Sequence, residues 1–384
     1  MSDGAAPASP QIEESGCCLA DGGARRAFVW SLLGAVAAAC SGPTAAGSAR
    51  RERDLMAQAA EIVAGSPAID LHAHPGGFTR ARTGQLPTAA LEDMQRARVD
   101  AAFFSVVTDG PVIRREPGGI RNYRAPREGE LYRSALGQAE RVRVRAQEGR
   151  LKLLLEPGDV AVARRAGQPG ALLALEGGDA LEGMVARVRE FHALGVRSIQ
   201  LMHYRINELG DIQTAPPQHH RLTQRGHDVL AEMNRLGIVV DGAHAAPQTL
   251  RGILAASRTP IIISHTGPAA LRPYARHLSD DLIQAVAARD GVIGVWPLSR
   301  TGVGPLDQML ADIDYVRRLV GIDHVGIGTD MAGLSRFTVI PTYRHFAPLP
   351  AALLARGYGE TDLGKLLGGN LMRVFEAATA GKVP

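Results

Sequence analysis

The chain has 384 residues, of which 45% are hydrophobic and 21% are charged, proportions that are ordinary for a globular protein. The 43 Lys and Arg residues nearly balance the 39 Asp and Glu residues, and no run of like charges argues for a nucleic-acid partner. The three cysteines are Cys17, Cys18 and Cys40, so residues 41–384 have no thiolate for a metal and no disulfide. Any metal site there must use His, Asp and Glu side chains.

The first 40 residues differ from the rest and predict a leader. Arg25 and Arg26 precede an apolar run over 27–39, which is too short to span a bilayer and is typical of an export signal. The arginine pair resembles a twin-arginine signal. We therefore expect an exported protein, either periplasmic or membrane-anchored, and leave open a lipid anchor at Cys40. The alternative is a leader that carries a chance apolar patch.

From residue 67 onward, strand-like apolar runs alternate with amphipathic helical stretches. We predict strands over 68–74, 101–107, 151–157, 171–178, 197–203, 238–244, 260–266, 291–297 and 324–330. Helices are predicted between them, including 226–237 and 279–291, the latter with Ser279 as its N-cap. This alternation favours an α/β fold of the (β/α)₈ TIM-barrel type with a parallel sheet. The predicted organisation is a leader over 1–40, a linker and N-terminal helix over 41–66, and a single catalytic domain over 67–384.

Six of the predicted strands end in residues that bind metals or transfer protons. These residues are His72, His74, Glu176, His203, His244, His265 and Asp330. In a TIM barrel the C-terminal ends of the strands meet at one face, which carries the chemistry. One such histidine alone would more often be a core residue or a strand cap. Four strands that end in histidine indicate a shared metal site.

The types of ligand indicate which metal the site would bind. Imidazole and carboxylate ligands without thiolates suit Zn²⁺ or a similar divalent ion. Four histidines and a glutamate exceed the needs of one tetrahedral ion, so we predict two ions bridged by Glu176. Gly177 and Gly178 follow it and would let the loop backbone approach closely. Two bridged ions would activate a water molecule and polarise a carbonyl group, with Asp330 as general base. Asp330 could instead be a further ligand or a helix cap.

Longer motifs connect these strand ends to a known family. They include ALEGGDAL (174–181), EMNRLGIVVDGAH (232–244), PIIISHTGPAAL (260–271) and GIDHVGIGTD (321–330). With these motifs the sequence resembles the membrane dipeptidases, also called renal dipeptidases, over roughly residues 67–378. They are zinc-dependent hydrolases of the amidohydrolase superfamily.

The resemblance implies a role for each residue. His72 and His74 would bind the first metal, Glu176 would bridge, and His244 and His265 would bind the second. The resemblance also implies that Asp330 is the catalytic acid and base, that His203 stabilises the oxyanion at the substrate carbonyl, and that Arg276 holds the C-terminal carboxylate. From the residues alone, His203 could cap a strand and Arg276 could be a solvated surface charge. Relatives commonly form homodimers, so a homodimer is left open.

The predicted function is therefore a zinc-dependent dipeptidase that hydrolyses the peptide bond of a small-molecule dipeptide through a binuclear, metal-activated water. The alternative is a metal-dependent amidohydrolase for another small amide, such as a modified dipeptide, an N-acyl amino acid or a lactam. A non-catalytic barrel is less favoured. One departure bears on specificity, because the family usually has His-x-Asp where this chain has His72 and His74, which removes one negative charge.

The stretch over 109–127 is rich in Pro, Gly and Arg and follows the second predicted strand. It could overhang the substrate pocket as a basic lip or lie in solvent as an ordinary loop. The composition favours the solvated loop.

Overall fold

A computed structural model describes residues 45–75, 88–299, 306–334 and 337–382. Backbone contacts divide the chain into two units, 1–45 and 46–384. The predicted leader over 1–40, with its export signal and Cys40, lies outside the described residues. Among the helices in the described part of the chain, none is long and apolar enough to cross a membrane.

Strands and helices alternate along most of the second unit. The strands are β1 (Ile69–Ala73), β2 (Ala101–Val107), β3 (Ile113–Glu116), β4 (Gly119–Asn122), β5 (Lys152–Leu153), β6 (Gly170–Glu176), β7 (Val196–Gln200), β8 (Val239–Asp241), β9 (Ile262–Thr266), β10 (Val292–Val295) and β11 (Val325–Ile327). The helices are α1 (Ala45–Gly65), α2 (Thr88–Ala97), α3 (Glu130–Gln147), α4 (Gly158–Arg165), α5 (Val185–Ala193), α6 (Gln224–Leu236), α7 (Pro247–Ala256), α8 (Asp280–Ala287), α9 (Asp307–Val320), α10 (Pro348–Ala355), α11 (Glu360–Gly364) and α12 (Asn370–Ala380).

Eight strands form a parallel barrel in the order β1-β2-β6-β7-β8-β9-β10-β11. The ring closes between its first and last strands through a parallel bridge from Ala73 to Met331. Two backbone hydrogen bonds support this bridge, from Asp330 N to His72 O and from His74 N to Met331 O, each 2.8 Å. The predicted (β/α)₈ barrel is therefore confirmed.

The predicted strand over 151–157 is mostly wrong. Only the two residues of β5 are extended, and they pair with Gly170 and Ala171 at the start of β6. From Leu173 onward β6 pairs instead with β7, which takes over that edge. The apolar run therefore contributes core residues beside the barrel but no strand of the ring.

The local sequence explains why these elements form where they do. Every residue of β2 and β6 is buried, as expected for strands covered by helices on the outside and filled on the inside. Helix α6 begins with a Thr223 hydroxyl that accepts a hydrogen bond from Gly226 N. Ser279 does occupy the N-cap position of α8, as predicted, but its side chain makes no capping hydrogen bond to the helix backbone.

The core has two parts, one on each side of the strands. Ile69, Leu71 and Phe103 belong to a cluster that also includes Leu371 and Phe375 of α12. A larger cluster lies between the strands and the surrounding helices. Because apolar side chains fill the first cluster, which contains the early residues of β1 and β2, the polar strand ends lie at the opposite, C-terminal face of the barrel.

Candidate metal centre and active site

The seven strand-end residues predicted from the sequence lie together and are buried. They belong to the ends of β1, β6 and β9 or to the loops just after β1, β7, β8 and β11. They are His72, His74, Glu176, His203, His244, His265 and Asp330. The structure therefore brings together the side chains that the sequence pattern predicted to be close, because parallel strands present their C-terminal ends at one face of the barrel.

A bulge in β1 positions the first histidine pair. The register between β1 and β2 shifts between Asp70 and Ala73. Leu71 packs in the core, yet its neighbour His72 contacts Glu176 in the centre of the site. The extra residue resets the alternation of the strand, so His72 and His74 both face the barrel axis. Simple alternation predicted the shared face of the two histidines but not this bulge.

The Glu176 carboxylate is the centre of the cluster. Its Oε1 lies 3.1 Å from His72 Nε2, 3.3 Å from His203 Nε2, 3.6 Å from His244 Nε2 and 3.9 Å from His265 Nε2. Its Oε2 lies 3.4 Å from His74 Nε2. Burial acts to raise the pKa of Glu176, but the neighbouring histidines, led by His203, hold that pKa well below its usual range. The carboxylate is therefore an anion at neutral pH.

The donor atoms fit divalent metal ions. Two groups could hold a metal, His72 with His74 and Glu176, and Glu176 with His244 and His265, each with its ligand atoms within 4.8 Å of one another. Two buried atoms of the cluster, His72 Nε2 and Glu176 Oε2, lie close to these neighbours but make no hydrogen bond of acceptable geometry with any described residue. A buried polar atom without a partner is costly, and a metal bond would satisfy both atoms.

The Nδ1 atoms of the four candidate histidine ligands are held by the protein, which directs their Nε2 atoms to the centre. The contacts are His72 with Ser105 Oγ at 3.1 Å, His74 with Ser105 O at 3.0 Å, His244 with His203 O at 3.1 Å, and His265 with Ser264 Oγ at 3.0 Å. Such contacts fix the ring orientation that a metal ligand needs.

Asp330 and His244 have unusual backbone conformations. Asp330 has a φ of 46° and His244 a φ of 67°, both in the left-handed region that non-glycine residues rarely adopt. The Asp330 carboxylate lies 3.4 Å from His74 Nε2, and a Cβ atom at Gly333 would collide with it. Local strain of this kind is concentrated at functional sites and is held by the surrounding fold.

Arg276 is buried, with 1% of its surface exposed, so the surface-charge alternative is wrong. Its guanidinium donates hydrogen bonds to Gln213 Oε1 and, at 2.9 Å, to His265 Nε2. It also lies over the Trp296 ring at 5.5 Å. Burial, followed by the charges of His72 and Arg276, lowers the pKa of His265 well below its usual value, so His265 is neutral and can accept this bond.

A cavity of about 290 Å³ opens onto the cluster. His74, Glu176, His203, His244, His265 and Asp330 all line it. This volume is close to the lower end of the range for small-molecule sites. The arrangement combines a candidate metal centre, a carboxylate that can exchange protons and a space for a small substrate.

Comparison with known proteins decides the family. The sequence model described as membrane dipeptidase, peptidase family M19, matches residues 56–383. The chain belongs to the membrane dipeptidase family. The sequence prediction of the family, and of a membrane dipeptidase-like hydrolase at the level of that family, is confirmed.

Curated relatives of this membrane dipeptidase family member include dipeptidases from fungi. The dipeptidase aclJ of Aspergillus oryzae is 34% identical over 54% of this chain and 51% of its own length. The dipeptidase verJ of Clonostachys rogersoniana is 26% identical over 84% of this chain and 87% of its own length. The matched part of the chain spans about half the length of aclJ. It spans 55% of the length of another relative, the dipeptidase tcpJ of Claviceps purpurea.

Solved structures share the family's barrel. An amidohydrolase from Pseudomonas aeruginosa superimposes with a TM-score of 0.70 at 23% identity, covering 84% of this chain and 99% of that chain. A metallopeptidase from Rhodobacter sphaeroides, liganded with a phosphinate mimic of the dipeptide L-Ala-D-Ala, gives a TM-score of 0.68 at 22% identity, covering 82% and 99%. At these identities the likeness establishes the fold.

Asp109 is a residue of the candidate site that the sequence did not reveal. Its fully buried carboxylate accepts hydrogen bonds from His203 Nδ1 at 2.6 Å and from Tyr204 N at 3.0 Å. Burial acts to lower the pKa of His203, but Asp109 and then Glu176 outweigh burial and hold it well above its usual value. One sequence signal was available, because Asp109 comes two residues after the predicted strand over 101–107, close to the kind of strand end that carries the other candidate residues.

Two aromatic residues of the cavity were also missed. Tyr204 lies next to the His203 and His244 rings, with centroid distances of 4.5 and 5.0 Å, and Trp296 lies 5.7 Å from the His265 ring. Both line the cavity. An aromatic residue after a strand carries no signal of its own, because most such residues belong to the core.

The stretch after β2 forms a hairpin over the site. Strands β3 and β4 pair in antiparallel register, and Ile113, Arg114, Arg115 and Ile120 line the cavity. The solvated-loop interpretation was therefore wrong, and the less favoured basic lip is correct. Arg114 and Arg115, whose charge suggested a solvated loop, are exposed to solvent and also line the mouth of the cavity.

Proposed function

We propose that this chain is a zinc-dependent dipeptidase in which Glu176 bridges two ions. The observation that carries the proposal is that two groups of histidine nitrogens share the Glu176 carboxylate beside a cavity. His72 and His74 would complete the ligands of one ion, and His244 and His265 those of the other. When bound, the ions would supply Lewis acidity toward water and toward the amide carbonyl of the substrate.

Asp330 would carry the proton. Its carboxylate lines the cavity and lies 3.4 Å from His74 Nε2, next to the proposed first ion. In that position it can accept a proton from the attacking water and deliver it to the leaving amine. Its left-handed backbone conformation and the lack of a side chain at Gly333 hold the carboxylate at the cavity wall.

His203 would stabilise the negative charge that develops on the carbonyl oxygen. Asp109 fixes its Nδ1, and its Nε2 lies 3.3 Å from Glu176 Oε1. The raised pKa favours the protonated ring, in which Nε2 carries a hydrogen that can be donated to an oxyanion. Asp109 would act through His203 as a positioning residue.

Arg276 would hold the C-terminal carboxylate of the substrate. Its present bond to His265 Nε2 uses the nitrogen that the second ion would need. One lone pair cannot serve both partners, so binding of the ion would release the guanidinium. A guanidinium beside the site that has lost a partner is suited to a carboxylate, with which it forms two parallel hydrogen bonds.

A second candidate, hydrolysis of an N-acyl amino acid or another small amide, has support from the charges of the cavity. Among the described residues that line it, the carboxylates are Glu176 and Asp330, and both have proposed roles in the chemistry. A free ammonium group on the substrate would therefore find no unused carboxylate. A substrate with an acylated nitrogen would not need one.

We also propose that the protein is exported and acts in the periplasm or from a lipid anchor at Cys40. This rests on Arg25, Arg26 and the apolar run over 27–39. Cell fractionation of the full chain and of an Arg25→Lys/Arg26→Lys variant tests it. Retention of the variant in the cytoplasm supports export through the arginine pair, and equal distribution of the two proteins contradicts it.

The reaction is tested with the purified full chain loaded with zinc. Metal content is measured by mass spectrometry, and turnover is measured with a panel of L,L and L,D dipeptides and N-acyl amino acids. Asp330→Asn serves as control, because it should retain two zinc ions and lose most turnover. Removal of zinc by a chelator should abolish turnover, and restoring the ion should recover it.

Each outcome separates the candidates. Hydrolysis of dipeptides by the parent protein, with none by Asp330→Asn, supports the dipeptidase. Hydrolysis of the N-acyl amino acids alone supports the second candidate. A folded protein with two zinc ions that hydrolyses neither class contradicts both, and a content of one ion contradicts the bridged pair.

A further inference from the structure

The β3–β4 hairpin presents two arginines, Arg114 and Arg115, to the active-site cavity, and the two differ in their surroundings. Ile113 and Arg115 alternate onto the same face of β3, and Arg115 pairs directly with Ile120 on β4. All three residues line the cavity. The two isoleucines are half-buried and flank the exposed arginine, so the hairpin offers an apolar wall with a guanidinium in it.

Arg115 differs from its neighbour Arg114 in having no carboxylate partner in the described part of the chain. Arg114 forms an ion pair with Glu116 at 2.7 Å and stacks on the Tyr123 ring. Arg115 forms no ion pair within 4.0 Å with any described residue. The charge of Arg114 is therefore largely compensated by its own strand, whereas the charge of Arg115 is available to a ligand.

The hairpin and Arg276 lie on opposite sides of the barrel mouth. The hairpin follows β2, and Arg276 follows β9. In the ring order β1-β2-β6-β7-β8-β9-β10-β11, these strands are the second and the sixth of eight, which is half a turn apart. The Glu176 cluster lies between them. A substrate whose leaving half points to Arg276 therefore directs its acyl half toward the hairpin.

The charge balance of the cavity favours an anion at that end. Glu176 and Asp330, the carboxylates among the described lining residues, both lie 3.4 Å from His74 Nε2. They are thus engaged at the centre, and bound divalent ions would add positive charge there. An anionic side chain on the acyl half would meet Arg115, whereas a cationic side chain in the same place would be repelled by that guanidinium.

We propose that Arg115 is a specificity-determining residue that binds a carboxylate on the acyl half of the substrate. This rests on the proposed function and narrows it to amides with an acidic acyl half, such as dipeptides with an N-terminal Glu or Asp. The guanidinium would make charge-assisted hydrogen bonds to the side-chain carboxylate, while Ile113 and Ile120 contact the methylene groups.

A charge series of dipeptides tests the proposal on the zinc-loaded full chain. We measure kcat/KM for Glu-Ala, Gln-Ala and Lys-Ala, which differ only in the acyl side chain. The parent protein should prefer Glu-Ala over Gln-Ala on the order of tenfold, and Lys-Ala should be poorest. Arg115→Gln should abolish the preference for Glu-Ala while retaining turnover of Gln-Ala.

Arg121→Gln is the matched control, because Arg121 lies on the same hairpin, opposite Arg114, and does not line this cavity. It should keep the parent's preference. Calorimetric titration of the Asp330→Asn variant with Glu-Ala and Gln-Ala gives a second measurement that does not need turnover. Glu-Ala should bind more tightly, and the added Arg115→Gln change should remove the difference.

The two measurements separate this inference from the proposed function. Turnover without any preference for Glu-Ala overturns the role of Arg115 and leaves the dipeptidase intact. Tighter binding of Glu-Ala that depends on Arg115, without turnover in the parent protein, supports Arg115 and overturns the reaction. Absence of both turnover and charge-dependent binding overturns both.

Discussion

Asp109 illustrates how a single buried residue can control an active site that it does not line. Its carboxylate accepts the His203 Nδ1 hydrogen bond at 2.6 Å, so it fixes both the ring plane and the nitrogen that faces the cavity. The same carboxylate accepts a hydrogen bond from Tyr204 N, which ties the loop after β7 to the end of β2. The position of His203, in the loop after β7, therefore depends on a residue in the loop after β2.

We predict that Asp109→Asn lowers kcat by about ten- to a hundredfold with a small change in KM, the size typical of lost supporting contacts in metal sites. The amide preserves the shape of the side chain but not its charge, so the ring loses its preferred protonation state. Steady-state kinetics on dipeptides measures the effect. Asp312→Asn is the control, since this buried aspartate pairs with Arg272 away from the cavity. An equal loss in both variants would indicate general destabilisation.

Arg276→Met should raise KM for dipeptides by about ten- to several-hundredfold, because it removes a charged hydrogen bond to the substrate carboxylate. The value of kcat should change much less. Metal content is measured alongside, because Arg276 also contacts His265. Arg251→Met, which removes an exposed arginine of α7 paired with Asp281, should leave KM unchanged. An unchanged KM in Arg276→Met would contradict the assigned role.

The sequence was sufficient to indicate which residues with metal-binding side chains would lie together, and insufficient for the residues of the candidate site whose role depends on a partner. Histidine at the end of an apolar strand is uncommon enough to carry information, which is why His72, His244 and His265 were found. Asp, Tyr and Trp side chains have many structural roles in proteins, so Asp109, Tyr204 and Trp296 carry no distinctive signal in the sequence. Their part in this site follows only from the three-dimensional neighbours that the fold gives them.

The hydrogen bonds that close the barrel lie next to the candidate site. Asp70 of β1 accepts hydrogen bonds from Thr329 N at 2.8 Å and Thr329 Oγ1 at 2.5 Å, just after β11, and from the Tyr343 hydroxyl at 3.0 Å. Burial raises the pKa of Asp70 to about 6, although these hydrogen bonds act to lower it. The contacts hold the first and last strands together two residues from His72 and one from Asp330.

Tyr343→Phe should lower the free energy of unfolding by about 1.5–3 kcal/mol, because it removes one hydrogen bond to a buried carboxylate. Chemical denaturation followed by circular dichroism measures the change. Tyr315→Phe is a matched control, since its hydroxyl donates a hydrogen bond to Asp280 Oδ2 at 2.7 Å near the surface of the protein, where water can replace the lost contact, and the loss should be smaller. Equal losses in the two variants would show that the closure contact has no special weight.

The alternation of strands and helices predicted the barrel, because parallel strands covered by helices appear in the sequence as short, continuous apolar runs. Two details could not be read from that pattern. The bulge in β1 depends on pairing with β2, and the short β5 depends on competition with β7 for the edge of β6. Both are decided by contacts between segments far apart in the chain.

The stability of the whole protein should depend on the protonation state of His277, which contacts the cavity residue Trp296. The pKa of His277 is lowered to about 4, first by burial and then by the charges of Arg272 and Arg276, while its hydrogen bond to Arg272 O opposes the shift. In this neutral ring Nδ1 donates to Arg272 O at 2.8 Å, and Nε2 accepts from Trp296 Nε1 at 3.2 Å. Protonation would add a hydrogen at Nε2 and break the bond to the cavity residue Trp296.

The free energy of unfolding should therefore fall as the pH drops below 6.5. Between pH 6.5 and 4 the unfolded chain binds a proton at His277 that the folded chain does not, so acid favours the unfolded state. At pH 5 the loss from this one residue is on the order of 2 kcal/mol. Urea denaturation at pH 7 and pH 5, with a chelator present so that metal binding adds no pH dependence, measures it.

His277→Gln should remove that part of the pH dependence, because the amide side chain cannot be protonated in this range. The variant loses some stability at pH 7, but the difference between pH 7 and pH 5 should shrink relative to the parent. His345→Gln is the control, since His345 is exposed and should leave the difference unchanged. An equal decrease in the free energy of unfolding between pH 7 and pH 5 for the parent and for His277→Gln would contradict the prediction. It would show that the fold does not keep His277 neutral and that the position of Trp296 does not depend on the protonation state of His277.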